Sequence, residues 1–145
     1  MFAQILIGSI MISISIIIMT ASVSVAILCL SKTGRWIVTG PAFTRLTSAL
    51  TAVTLWLLAA ISLVVWVWAV LFLSLGLFDS LEPSLYFSIV ALTTLGFGDI
   101  ILPESWRLLS GFIAANGLVL FGLNTAFLIE AVIQLNAARK SNTPH

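Results

Sequence analysis

Side chains that do chemistry are scarce in this chain. Of 145 residues only 8% are charged, one is a histidine and one a cysteine. The lone Cys29 sits in an apolar run, so it can form no disulfide within the chain and no thiolate metal site, and it reads as a packing residue. His145 is the final residue, where a frayed end is expected rather than a ligand or a base. Hydrolytic and redox chemistry therefore lack their usual residues, and no enzyme activity is expected. Basic runs are missing as well, which removes the usual footprint for nucleic acid, and a net charge of +1 carries no further message.

What the chain has in abundance is apolar length. Hydrophobic residues make up 61% of it, far above a soluble domain, which implies an integral membrane protein of all-α class. Residues 2–30 hold no charge, and at about 1.5 Å per residue their helix exceeds the ~30 Å hydrocarbon core, giving an N-terminal span over 1–30. A cleaved signal peptide is the rival, but no basic stretch precedes the apolar run and Ala21 gives a poor cleavage context. Ser9, Ser13, Thr20 and Ser24 fall on one narrow stripe, which is expected to pack against another helix.

A basic connection follows over 31–48, carrying Lys32, Arg35 and Arg45 and broken by Gly34, Gly40 and Pro41; Trp36 suits the interface. Residues 49–77 form a second span, in which Trp56, Trp66 and Trp68 are expected to pack against protein or lipid. After a polar break over Gly76–Ser80, Leu81–Leu92 makes a helix of about 18 Å, half a membrane. Ser80 is placed to cap it, Pro83 lies in its first turn, and Glu82 meets the positive end of its dipole. Residues 100–107 turn back through Pro103, with Ser105 as a cap, Trp106 as an anchor, and an exposed Glu104–Arg107 pair to which no function is assigned. The third span is 108–136, and 137–145 form a short tail. The positive-inside rule puts Lys32, Arg35, Arg45, Arg139 and Lys140 in the cytoplasm. Asp79, Glu82, Asp99 and Glu104 then lie outside, opposed only by Arg107. The N-terminus is thus expected outside and the C-terminus inside.

Between the second and third spans lies Thr93-Thr94-Leu95-Gly96-Phe97-Gly98-Asp99. Glycines tolerate left-handed backbone, so successive carbonyls here can all point one way and replace an ion's water shell. Irregular backbone at membrane depth is tolerated only where it is buried in protein or lines a watery cavity. TTLGFGD closely resembles the selectivity filter of the potassium-channel pore-domain family, a two-transmembrane pore module to which this chain adds one N-terminal span. The resemblance covers residues 49–136: outer helix, re-entrant pore helix, filter and inner helix.

The resemblance implies a homotetramer that conducts K+ passively through a plasma or bacterial inner membrane, with membrane lipid as its surroundings and no cofactor beyond bound K+. Carbonyls of Thr94, Leu95, Gly96 and Phe97 would hold the ions, with Thr94 adding its hydroxyl and Gly98 completing the filter. Tyr86, Phe87, Thr93 and Asp99 would support it, Tyr86 reaching Asp99 from behind. Val90 and Ala91 stand where the family often carries polar braces, so those are missing. Gly117 is either a bend in the inner helix or a site of close packing; Asn124, seven residues on and on the same face, is expected to meet the cavity. Glu130 either rings the inner mouth or snorkels to the headgroups. A span free of charge over 2–30 offers no voltage sensor, and the stretch after Gln134 is too short for a ligand-sensing domain. A non-selective cation channel on the same scaffold and a non-conducting regulatory subunit remain open.

Overall fold

The computed structural model describes the backbone of residues 1–38 and 42–140 and the side chains of 1–31 and 44–134. It contains four α-helices: α1 (Phe2–Val38), α2 (Ala42–Ser74), α3 (Leu81–Leu92) and α4 (Leu108–Lys140), with one 3-10 turn at Glu104–Trp106. Three of them, over Phe2–Ser31, Thr44–Ser74 and Leu108–Gln134, are long and apolar enough to cross a membrane, whereas α3 is not.

The helices run further into the basic connection than the charge pattern suggests. α1 continues to Val38 and α2 begins at Ala42. Gly34 does not break α1, since one glycine costs a long helix only about 1 kcal/mol. The readings attached to the side chains of Lys32, Arg35, Trp36, Arg139 and Lys140, and to Gly40, Pro41 and His145, lie outside the described residues.

α2 stops in a way its sequence explains. Gly76 takes φ +67°, Leu77 N–H donates to the Phe72 carbonyl and Gly76 N–H to the Leu73 carbonyl. This left-handed cap satisfies the last carbonyls and turns the chain toward α3. Ser80 stands at the N-cap position of α3 with extended backbone but makes no side-chain capping bond, so the expected cap is positional only. Ser105 caps nothing either: it lies inside the 3-10 turn, and its carbonyl accepts a hydrogen bond from Gln4 Nε2 of α1.

The core forms where all four helices meet. α2 contributes Val64, Trp68 and Phe72, α3 contributes Phe87 and Leu92, α4 contributes Leu109, Ile113 and Leu120, and α1 contributes Met11 and Met19. Phe72 packs on Trp68 at 5.7 Å and edge-on against Phe87 at 5.3 Å between ring centroids, tying α2 to α3. Ser84, fully buried on α3, donates to the Ala69 carbonyl of α2 at 2.7 Å. Trp68 is thus a core residue, while Trp56 and Trp66 face outward, and Trp56 Nε1 donates to the Ser22 carbonyl of α1 at 3.0 Å.

The face by which α1 docks differs from the expected one. Gln4, Gly8, Met11, Ser15, Met19 and Ala26 are buried, whereas Ser9, Ser13, Thr20 and Ser24 lie on the exposed side. The hydroxyls of Ser13, Thr20 and Ser24 bond carbonyls one turn back along α1, so they need no second helix. Contact is decided instead by Gly8, where the Phe112 ring of α4 occupies the space a Cβ would need, its nearest atom at 2.5 Å.

Candidate functional site

The segment after α3 has a regular alternation of backbone hand. Thr94 has φ +58°, Gly96 +56° and Gly98 +76°, while Leu95 and Phe97 between them have negative φ. Alternating left- and right-handed residues set successive peptide planes parallel, so their carbonyls share one side of the strand and their N–H groups the other. The N–H side is anchored: Leu95 N–H and Gly96 N–H both donate to the Val90 carbonyl, at 3.0 and 3.4 Å, and Thr94 N–H donates to Ala91. The carbonyls of this stretch are thereby left for something else.

Thr94 is the one described non-glycine residue with positive φ. Left-handed backbone costs such a residue about 1–2 kcal/mol, so the sequence offered glycine as a signal at 96 and 98 and none at 94. Val90 was equally invisible as a site residue. Its side chain is apolar and buried, and its role lies in its carbonyl.

Tyr86 and Phe87 separate, as neighbours on a helix must. Phe87 is buried against Phe72 and Phe78. Tyr86 lies on the open side and donates its hydroxyl to Asp99 Oδ2 at 2.7 Å, joining the middle of α3 to the end of the 93–99 segment. This bond holds the Asp99 carboxyl below its usual range and raises the Tyr86 phenol above its own. Thr93 Oγ1 closes the end of α3 through the Ile89 carbonyl at 2.8 Å. Leu95 and Phe97 are exposed, beside a groove of about 450 Å³ bounded by Val90, Thr94, Ile101, Arg107 and Ala114.

On α4 the outcomes divide. Gly117 is buried against α3, and a Cβ there would lie 1.8 Å from the Leu92 carbonyl oxygen. Of its two readings this placement carries close packing, and α4 is one helix through the position. Asn124 shares that face and is buried within the chain. The open face of α4 instead carries Leu118, Phe121 and Thr125. Glu130 is exposed and accepts from Gln134 Nε2 at 2.8 Å. Glu104 and Arg107 pair at 3.2 Å on the surface, where such a pair contributes little.

Among the described residues no group of three or more His, Cys, Asp or Glu could hold a metal ion. No curated protein and no solved structure matches the chain. A family model described as ion channel matches residues 57–134, from within α2 through α3 and the 93–99 segment to the described end of α4. With more than half its length matched, and three helices able to cross a bilayer, the chain is an integral membrane protein that belongs to the ion channel family.

Proposed function

We propose that four copies of this chain form a passive, potassium-selective channel. The observation that carries the reading is the positive φ at Thr94, Gly96 and Gly98, with the Leu95 and Gly96 N–H groups tied to the Val90 carbonyl. A strand built this way presents a ladder of carbonyl oxygens, and four such strands around an axis would replace the hydration shell of a potassium ion. Thr94, Leu95, Gly96 and Phe97 supply the carbonyls, and ions in adjacent sites repel one another through.

In this arrangement α3 is the re-entrant pore helix, its C-terminal partial negative charge directed at the cation path. Leu95 and Phe97, exposed on one subunit, are covered by the neighbouring copy. Leu118, Phe121 and Thr125 line the inner cavity. The charge distribution supports an N-terminus outside and a C-terminus in the cytoplasm.

Purified protein in liposomes tests the proposal through ion flux. Potassium, rubidium and caesium are expected to sustain flux, and sodium and lithium not. Equal sodium and potassium permeability would replace the reading with a non-selective cation channel. A protein that passes no ion would be a non-conducting membrane subunit.

A further inference from the structure

One buried group has no part in the site as described. Asn116, in the first third of α4 between Ile113 and Leu120 of the same buried face, is wholly inaccessible. Neither its amide nitrogen nor its amide oxygen has a partner among the protein atoms. Burying a carboxamide without partners is unfavourable, and a leucine would fill the position without that cost. Packing alone therefore does not account for an asparagine here.

The residue beside it is the one seated on the end of α3. Gly117 leaves room for the Leu92 carbonyl, which lies where a Cβ would be. That carbonyl is also unclaimed by backbone: the bonds that close α3 go to Ile89, Val90 and Ala91, and Leu92 is fully buried. An acceptor lacking a donor is thus pressed against α4 one residue from a carboxamide lacking an acceptor. Neighbouring helical residues differ by only about 1.5 Å in height, within the sweep of an asparagine side chain. Trp68 Nε1, from α2 in the same core, is a further buried donor without a partner.

On the channel reading given above, we infer that Asn116 is a positioning residue for the conducting segment. Its carboxamide holds the Leu92 carbonyl through one water molecule, and so ties α4 to the residue that immediately precedes Thr93. The height and tilt of α4 are thereby transmitted to the base of the carbonyl ladder.

The test compares wild type, Asn116→Leu and Asn116→Ser in liposomes over a series of potassium concentrations. Asn116→Leu is expected to keep the thermal midpoint of the assembled protein at or above wild type. It should nevertheless lose conduction several-fold faster, most of all in low potassium. Asn116→Ser, which keeps a donor and an acceptor and leaves room for water, should restore kinetics close to wild type. Leucine channels with wild-type kinetics at every concentration would overturn the inference, as would serine and leucine channels impaired alike. A second measurement needs no variant: the side-chain amide nitrogen resonance of Asn116 in the wild-type assembly should shift when sodium replaces potassium, and that of Asn124 should not. An Asn116 resonance indifferent to the ion would overturn the inference. A wild type carrying no potassium current would overturn the channel reading and this inference with it, whereas normal current with unaltered variants would overturn the inference alone.

Discussion

Replacing Gly117 by alanine puts the close contact between α3 and α4 to the test. The new methyl would lie 1.8 Å from the Leu92 oxygen, 2.8 Å from its carbonyl carbon and 3.3 Å from its Cα, against 3.4 Å for an ordinary contact. The obstruction is backbone, so no side chain can swing aside; α3 and α4 must part. Overpacking of a tight core costs about 1–3 kcal/mol, and an obstruction made of backbone belongs at the upper end of that range. Alanine returns about 1 kcal/mol through its better helix propensity, leaving a net loss of about 2 kcal/mol. Gly122→Ala is the matched comparison, since nothing in the subunit lies within 4 Å of a Cβ there, and only the propensity gain remains. The assay is the thermal unfolding midpoint of both variants in the same detergent, with liposome flux alongside. Gly117→Ala should melt clearly below wild type and Gly122→Ala at or above it. A Gly117→Ala protein as stable as wild type, with altered opening only, would refute close packing and restore the bend. Destabilisation by Gly122→Ala would instead reveal a contact between subunits.

Tyr86→Phe removes the hydroxyl that reaches Asp99 and should hasten the loss of conduction during sustained opening; unchanged kinetics would count against a bracing role. Because that bond lowers the Asp99 pKa in the folded protein, its stabilisation is present above the ordinary carboxylate value of about 3.9 and is lost as external pH falls through the lowered one. Conduction in wild type should therefore tolerate mild external acid, and Tyr86→Phe should shift the onset of acid sensitivity to higher pH; titration curves that superimpose would refute the linkage. Thr125→Cys should react with a water-soluble thiol reagent applied from the inside while Asn124→Cys stays protected, and the opposite pattern would reverse the assignment of faces on α4.

Much of this architecture could be read from apolar length. Long apolar spans in lipid are helices, and a twelve-residue apolar segment between two of them is too short to cross. Gly76, Gly96 and Gly98 were also legible, because left-handed backbone favours glycine strongly enough to mark the sites. Helix faces were harder. α4 is apolar nearly all round, so periodicity shows that Gly117 and Asn124 share a face without showing which way it points; the Leu92 carbonyl decides that. On α1 the hydroxyl stripe was the visible signal, yet hydroxyls satisfied by their own backbone carry no contact information, and Gly8 did the docking. The left-handed backbone of Thr94 and the accepting carbonyl of Val90 were hidden, because side-chain identity does not report them.

The anchoring of the 93–99 segment has a mechanical corollary. Leu95 and Gly96 do not hang from separate supports: both N–H groups converge on the Val90 carbonyl oxygen, just ahead of Thr94, whose backbone is held in an unfavourable hand. Two restraints that share one acceptor do not fail one at a time. If the last turn of α3 rotates enough to carry that oxygen away, both restraints are released together, and Thr94 is free to return to the right-handed region it prefers. Two peptide planes then reorient as a unit. On the channel proposal the carbonyls of this stretch would be aligned or lost together, and the oxygen atom on which that alternative turns belongs to Val90, whose side chain is buried.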